Sequence, residues 1–136
     1  MNRAGFQALA VERSEDAGVL LKSGRYACAY YIAGYAIECA LKAIIAQKTK
    51  QEDFPPKEAP RFCTHDLTAL LGYAGLERAL RQERSVDLVF NENWEIVRDW
   101  TEEARYHTPG QPEAHAIVTA VNDPNHGILQ WLRRDL

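Results

Sequence analysis

The sequence predicts an all-α domain, an up-and-down helical bundle of four to five main helices, and three observations carry that expectation. Apolar residues recur at the i, i+3, i+4 spacing of helices along most of the chain. No stretch shows the strict alternation of a half-buried strand, and no internal repeat or low-complexity tract appears. The stretch Tyr26–Ala46, YACAYYIAGYAIECALKAIIA, holds just two formal charges, Glu38 and Lys42, and a helix apolar on nearly every side belongs in a core. At 136 residues the chain can bury one sizeable core and is short for two, so residues 1–136 are expected to form a single domain.

Each element has a local reason. Between Arg3 and Lys22, Phe6, Leu9, Ala10, Ala17, Leu20 and Leu21 form one apolar stripe, with Arg13, Glu15 and Asp16 on the solvated side. Gly24 suits a left-handed helix end, and the short link to Tyr26 implies an antiparallel helical hairpin. In the second helix Ala27, Ala29, Ala33, Gly34 and Ala36 have little volume, which would let a neighbouring helix approach closely. Residues 47–64, QKTKQEDFPPKEAPRFCT, hold three prolines and no periodicity and read as a long loop, either a mobile segment or a binding loop.

Thr64 is the expected N-cap of a short helix that starts at His65, has Asp66 in its first turn and ends at Gly72. Another short helix is expected from Leu76 to Arg84. Ser85 would then cap a helix in which Val86, Val89, Phe90, Trp94, Val97, Trp100 and Ala104 form the apolar face. Pro109 and Gly110 break that pattern, and Pro112 suits the first turn of a final segment. Ile117, Val121, Ile128 and Leu132 share one face of that segment, but Asp123-Pro124 lies inside it. A kink or restart is expected there, with Asp123 as N-cap and Pro124 as first residue of a terminal helix.

Composition narrows the functional classes. The net charge of -3, from 16 Lys plus Arg against 19 Asp plus Glu, provides no global basic field for nucleic acid. Cys28, Cys39 and Cys63 are an odd set without a CxxC pair and fit a reducing compartment, with Cys28 and Cys39 acting as small buried hydrophobes. Early charges at Glu12, Arg13, Glu15 and Asp16 speak against an export signal, and Glu38 and Lys42 speak against a membrane span. The expected location is cytoplasmic.

Four histidines and three cysteines match no metal-ligand spacing, so neither a metal nor a cofactor is expected. The glycines form no phosphate cradle, and no nucleophile elbow is present. The most suggestive cluster is WTEEARYH, in which Arg105 could bind phosphate and Tyr106 stack on a base beside His107. The structural alternative has Arg105 facing helix-end carbonyls or pairing with a carboxylate, and Tyr106 closing the core. Glu38 and Lys42 are spaced to pair, and a carboxylate buried among Tyr31, Tyr35 and Leu41 would need partners from another helix or from a ligand. Arg78, Arg81 and Arg84, interrupted by Glu77 and Glu83, read as a solvated face.

Taken together, GVLLKSGRYACAYYIAGYAIECALKAIIA, then His65-Asp66-Leu67, then Arg105-Tyr106 and the closing DPNHGILQWLRR resemble the HEPN domain family, small helical proteins associated with minimal nucleotidyltransferases. The resemblance implies a bundle of four to five helices, frequent homodimers, and roles in nucleotide binding, in partnership with a nucleotidyltransferase, or as toxin ribonucleases. The ribonuclease branch uses an Arg and a His separated by roughly four to six residues, because one must hold phosphate charge while the other moves protons. Here Arg61 and His65 have three residues between them, Arg105 and His107 one, and Arg98 and His107 eight.

The resulting expectation is a non-catalytic, homodimeric HEPN-like protein that binds a nucleotide or regulates a nucleotidyltransferase, in the manner of a toxin-antitoxin pair. Arg105, Tyr106 and His107 are its first candidate ligand residues, followed by Glu38, Lys42 and His65, and no catalytic residue is assigned. A metal-independent toxin ribonuclease using Arg105 and His107 and a purely structural dimerisation module are the alternatives.

Overall fold

The computed structural model describes residues 2–48, 64–106 and 108–136, with Arg105 described by its backbone alone. The loop expected over residues 47–64, together with Cys63 and His107, therefore lies almost wholly outside the described residues. Seven α-helices are present among them, more than the four to five main helices expected, because the short segments after residue 64 and the restart past Asp123 each form a helix of their own. They are α1 (Arg3–Lys22), α2 (Tyr26–Lys48), α3 (Leu67–Tyr73), α4 (Glu77–Val86), α5 (Leu88–Arg98), α6 (Gln111–Asn122) and α7 (Ile128–Leu132). Two 3-10 turns, η1 (Glu102–Tyr106) and η2 (Arg133–Asp135), complete the order, and the described residues contain no strand.

The first hairpin forms as its sequence dictates. Asn2 caps α1 by accepting a hydrogen bond from the Gly5 amide, and Gly24 takes a left-handed φ of 77° that turns the chain into α2. Helices α1 and α2 then pack along their lengths, with Ala10 and Ala17 fully buried between them. α2 is the axis of the fold: α1, α3, η1, α6 and α7 all pack on it. Its Ala33, Ala36, Ile37, Ala40, Leu41 and Ala43 are fully buried, as an apolar helix requires. It is also long and apolar enough to cross a membrane, yet about 67% of that apolar window is covered by the rest of the protein.

Gly34 shows how close that packing is. A Cβ built there would stand 2.2 Å from the Trp100 ring, so the small residue accommodates an indole instead of a whole neighbouring helix. Tyr31 leans on the same indole, with ring centroids 5.9 Å apart, and Tyr35 stacks on Tyr31 at 6.3 Å.

Several expected boundaries need correction. Asp66, not Thr64, caps α3, its Oδ1 accepting from the Thr68 and Ala69 amides, while Thr64 Oγ1 accepts from the Asp66 amide. α3 runs one residue past the expected end at Gly72, to Tyr73, and Gly75 takes a left-handed φ after it. Ser85 caps nothing, because its hydroxyl donates to the Gln82 carbonyl within α4; Asp87 caps α5 through the Phe90 amide. The expected apolar face thus splits. Val86 and Val89 are exposed at 68% and 44%, whereas Phe90, Trp94, Val97, Trp100 and Ala104 are buried.

The Asp123-Pro124 restart occurs, but α7 begins at Ile128 after Gly127, and Asp123 instead closes a turn by accepting from the Asn125 and His126 amides. Cys39 is buried as expected, whereas Cys28, expected to be buried too, is exposed.

Asp87 also ties the two halves of the bundle together. Its Oδ2 meets His126 Nδ1 at 2.7 Å, and Asn93 donates to the His126 carbonyl at 3.0 Å. The hydrogen bond to Asp87 raises the His126 pKa above 6.5, and the hydrogen bonds from His126 and the Phe90 amide hold Asp87 below 3.8. A raised histidine pKa contributes stability that is complete below pH 6.5 and fades as pH rises through the folded value. A lowered aspartate pKa contributes stability that is present above pH 3.8 and lost as pH falls through the folded value.

Two outcomes follow from this packing. Gly34→Ala should destabilise the protein by about 1–3 kcal/mol in urea denaturation despite its better helix propensity, because the added Cβ displaces the indole from its seat. Replacing His126 with Gln should lower the melting temperature more at pH 6 than at pH 9. Equal losses at the two pH values would show that the imidazole charge is not part of the tie.

Candidate functional site

The Glu38–Lys42 pair of α2 becomes part of a four-residue polar chain. Glu38 is 2% exposed, so its carboxylate has left water and must be satisfied by protein. Lys42, one turn on, donates from Nζ to Glu38 Oε2 at 3.0 Å. The other oxygen, Oε1, meets Nδ1 of His65 at 2.8 Å. On the far side of the ring, Nε2 lies 3.0 Å from Glu102 Oε2. A segment preceding α3, the centre of α2 and the start of η1 are thereby joined through one imidazole.

Local sequence places each member. Glu38 and Lys42 share a helix face by their spacing of four. The Asp66 cap fixes the start of α3 and so holds His65 just outside it. Trp100, anchored against Gly34, and Ala104, 2% exposed, pin the chain on either side of Glu102. The indole Nε1 of Trp100 is itself buried without a hydrogen-bond partner among the described residues.

The imidazole opens onto a cleft of about 570 Å³ lined by Thr64, His65, Asp66, Arg98, Trp100, Thr101, Glu102 and Glu103. His65 and Glu102 side chains are 43% and 41% exposed, so this end of the chain meets solvent while the Glu38 end does not. A buried carboxylate that orients one imidazole nitrogen leaves the other to face a ligand, an arrangement useful for binding or for proton transfer. A neighbouring cleft of about 500 Å³, lined by Tyr30, Asp99, Thr101, Thr108 and Glu113 among others, shares Thr101. Burial, then the charges of Asp99 and Glu113, push the Tyr30 hydroxyl pKa up.

Of the sequence candidates, Glu38, Lys42 and His65 are brought together. Tyr106 lies on η1, 76% exposed, which corrects the alternative in which it closes the core. The Arg105 side chain and His107 lie outside the described residues. Glu102 and Arg98 join the candidates through the fold alone; the acidic pair in WTEEARYH was the available signal for Glu102, but nothing in the sequence linked it to His65. Burial foremost pushes the thiol pKa of Cys39, beside Glu38 on α2, up to about 11, which disfavours its thiolate. Burial and then Cys39 push Tyr35 up to about 12. Among the described residues no His, Cys, Asp and Glu cluster has metal-binding geometry.

A compact helical domain organised on one apolar helix, with a Glu-Lys-His-Glu chain opening on a cleft beside a 3-10 turn, defines a small helical module with a polar side pocket. The family model described as HEPN domain matches residues 8–123, and the chain belongs to that family. No curated protein and no solved structure matches it.

Changing Glu38 to Gln keeps the shape but removes the charge that Lys42 and His65 share. We expect a loss of about 1–3 kcal/mol of stability by chemical denaturation, together with a shift of the His65 ring resonances. An unchanged denaturation midpoint would show that the carboxylate is not what satisfies its two partners.

Proposed function

We propose that this HEPN protein is a non-catalytic module that binds a nucleotide in the His65 cleft and serves, as a homodimer, as regulatory partner of a nucleotidyltransferase in a toxin-antitoxin type of pair. The observation that carries the reading is the buried Glu38 carboxylate holding His65 at the mouth of the cleft. A buried ion pair is seldom the most stable choice for a core, since apolar residues of the same volume do as well or better. Its use here as an orienting device supports a ligand-facing role for the imidazole.

The cleft supplies the chemistry that a nucleotide needs. Arg98 and His65 offer cationic or donor groups to phosphate, and the Thr64 and Thr101 hydroxyls line the same space. The exposed Tyr106 ring, on the same short turn as Glu102 and Glu103, offers a face on which a base can stack. Non-catalytic action is supported by the absence from the sequence of an Arg and His at the ribonuclease spacing.

Calorimetric titration with ATP is expected to show one site per chain, with affinity falling at least about tenfold in His65→Ala. Co-expression with a nucleotidyltransferase encoded beside it should give a stable complex. RNA cleavage by the purified protein, lost in Arg105→Ala, would establish the ribonuclease alternative in its place. Absence of both ATP binding and complex formation would leave only the structural module.

A further inference from the structure

We propose that Glu102 is an internal competitor for the ligand: its carboxylate occupies the imidazole nitrogen that a phosphate group would take, so binding requires the Glu102–His65 contact to open. The inference rests on the nucleotide-binding reading above and adds its regulation. Two anions cannot share one Nε2–H, and the geometry leaves His65 no second free nitrogen, because Nδ1 is committed to buried Glu38 at 2.8 Å. The two ends of the chain differ sharply in mobility of partner. Glu38 sits on the central helix, 2% exposed, and cannot withdraw; Glu102 is a surface side chain 3.0 Å from Nε2 and can.

Charge points the same way. With Glu102 seated, the cleft wall presents Asp66, Glu102 and Glu103 against Arg98 and His65, and Arg98 itself lies 3.8 Å from Asp99. An incoming phosphate is repelled by that surface until the one carboxylate on the imidazole moves aside. Asp66 is engaged as the cap of α3, its Oδ1 accepting from the Thr68 and Ala69 amides. Since Glu102 begins η1, its release also loosens the polar tether between that turn and His65, while Trp100 and Ala104 keep the turn anchored in the core.

The test compares the unaltered protein with Glu102→Gln and Glu103→Gln, titrated with ATP and with inorganic triphosphate. Both variants remove one charge from the same cleft wall, but only the first removes the competitor on His65. The expected result is tighter binding of both probes by Glu102→Gln, about threefold to tenfold because an exposed ion pair is weak, with Glu103→Gln near the original affinity. Backbone amide resonances of residues 101–104 in ligand-free Glu102→Gln should already lie toward their ATP-bound positions in the unaltered protein. Equal gains in the two variants would reduce the effect to bulk charge and overturn the proposal, as would a gain for ATP without one for triphosphate. Unchanged or weaker binding in Glu102→Gln, while the unaltered protein binds ATP, overturns the competitor and leaves the nucleotide site standing. Binding by neither protein removes both; binding by Glu102→Gln alone establishes the competitor in its strongest form.

Discussion

A helix buried along most of its length cannot leave a charge in its covered part unsatisfied, and this constraint on Glu38 shapes much of the molecule. α2 is covered by α1, α3, η1, α6 and α7, and the Glu38 residue is only 2% exposed. Lys42 supplies one partner from the same helix at little conformational cost. The second has to come from elsewhere in the chain, and His65 reaches it only because Asp66 terminates the segment in a capped helix at that point. The position of α3, the orientation of the imidazole and the placement of Glu102 are consequences of satisfying one buried group.

The same crowding that buries Glu38 builds the wall of the cleft. Gly34 lets the Trp100 indole lie against α2, and the chain leaving Trp100 must then turn immediately, which produces the short η1 instead of a continuation of α5. A bulkier residue at position 34 would push the indole, and with it Thr101 and Glu102, away from His65. Packing and polar geometry are therefore coupled at this end of the bundle, whereas the opposite end is organised independently. There Asp87 caps α5 and grips His126 across to the turn before α7, a tie with its own dependence on pH.

Such separation fits a binding module. The Asp87–His126 tie holds the frame while the His65 cleft carries one exposed and one buried carboxylate on a single ring, an asymmetry that allows one contact to exchange without disturbing the other. Function on this reading lies in occupancy of the cleft and in the turn beside it.

The sequence by itself determined the helical class, the first hairpin from Arg3 to Lys22 and onward from Tyr26, the burial of Glu38 and its pairing with Lys42. These rest on period, composition and four-residue spacing, which are local properties. It also marked the restart near Asp123, and the family resemblance now stands as membership. It misplaced caps by two residues at Thr64 and Ser85, because several polar residues near a helix start can each accept an amide and only the packed chain selects one. It extended an apolar face through Val86 and Val89, since periodicity cannot tell that Asp87 breaks the helix and turns both residues outward. Only the tertiary structure decided that His65 and Glu102, from segments far apart in sequence, meet on one carboxylate-oriented ring. That juxtaposition is fixed by the Trp100 seat on Gly34, which leaves no local signature in the chain, and by the solvation demand of Glu38, which the sequence showed without showing which distant residue would meet it.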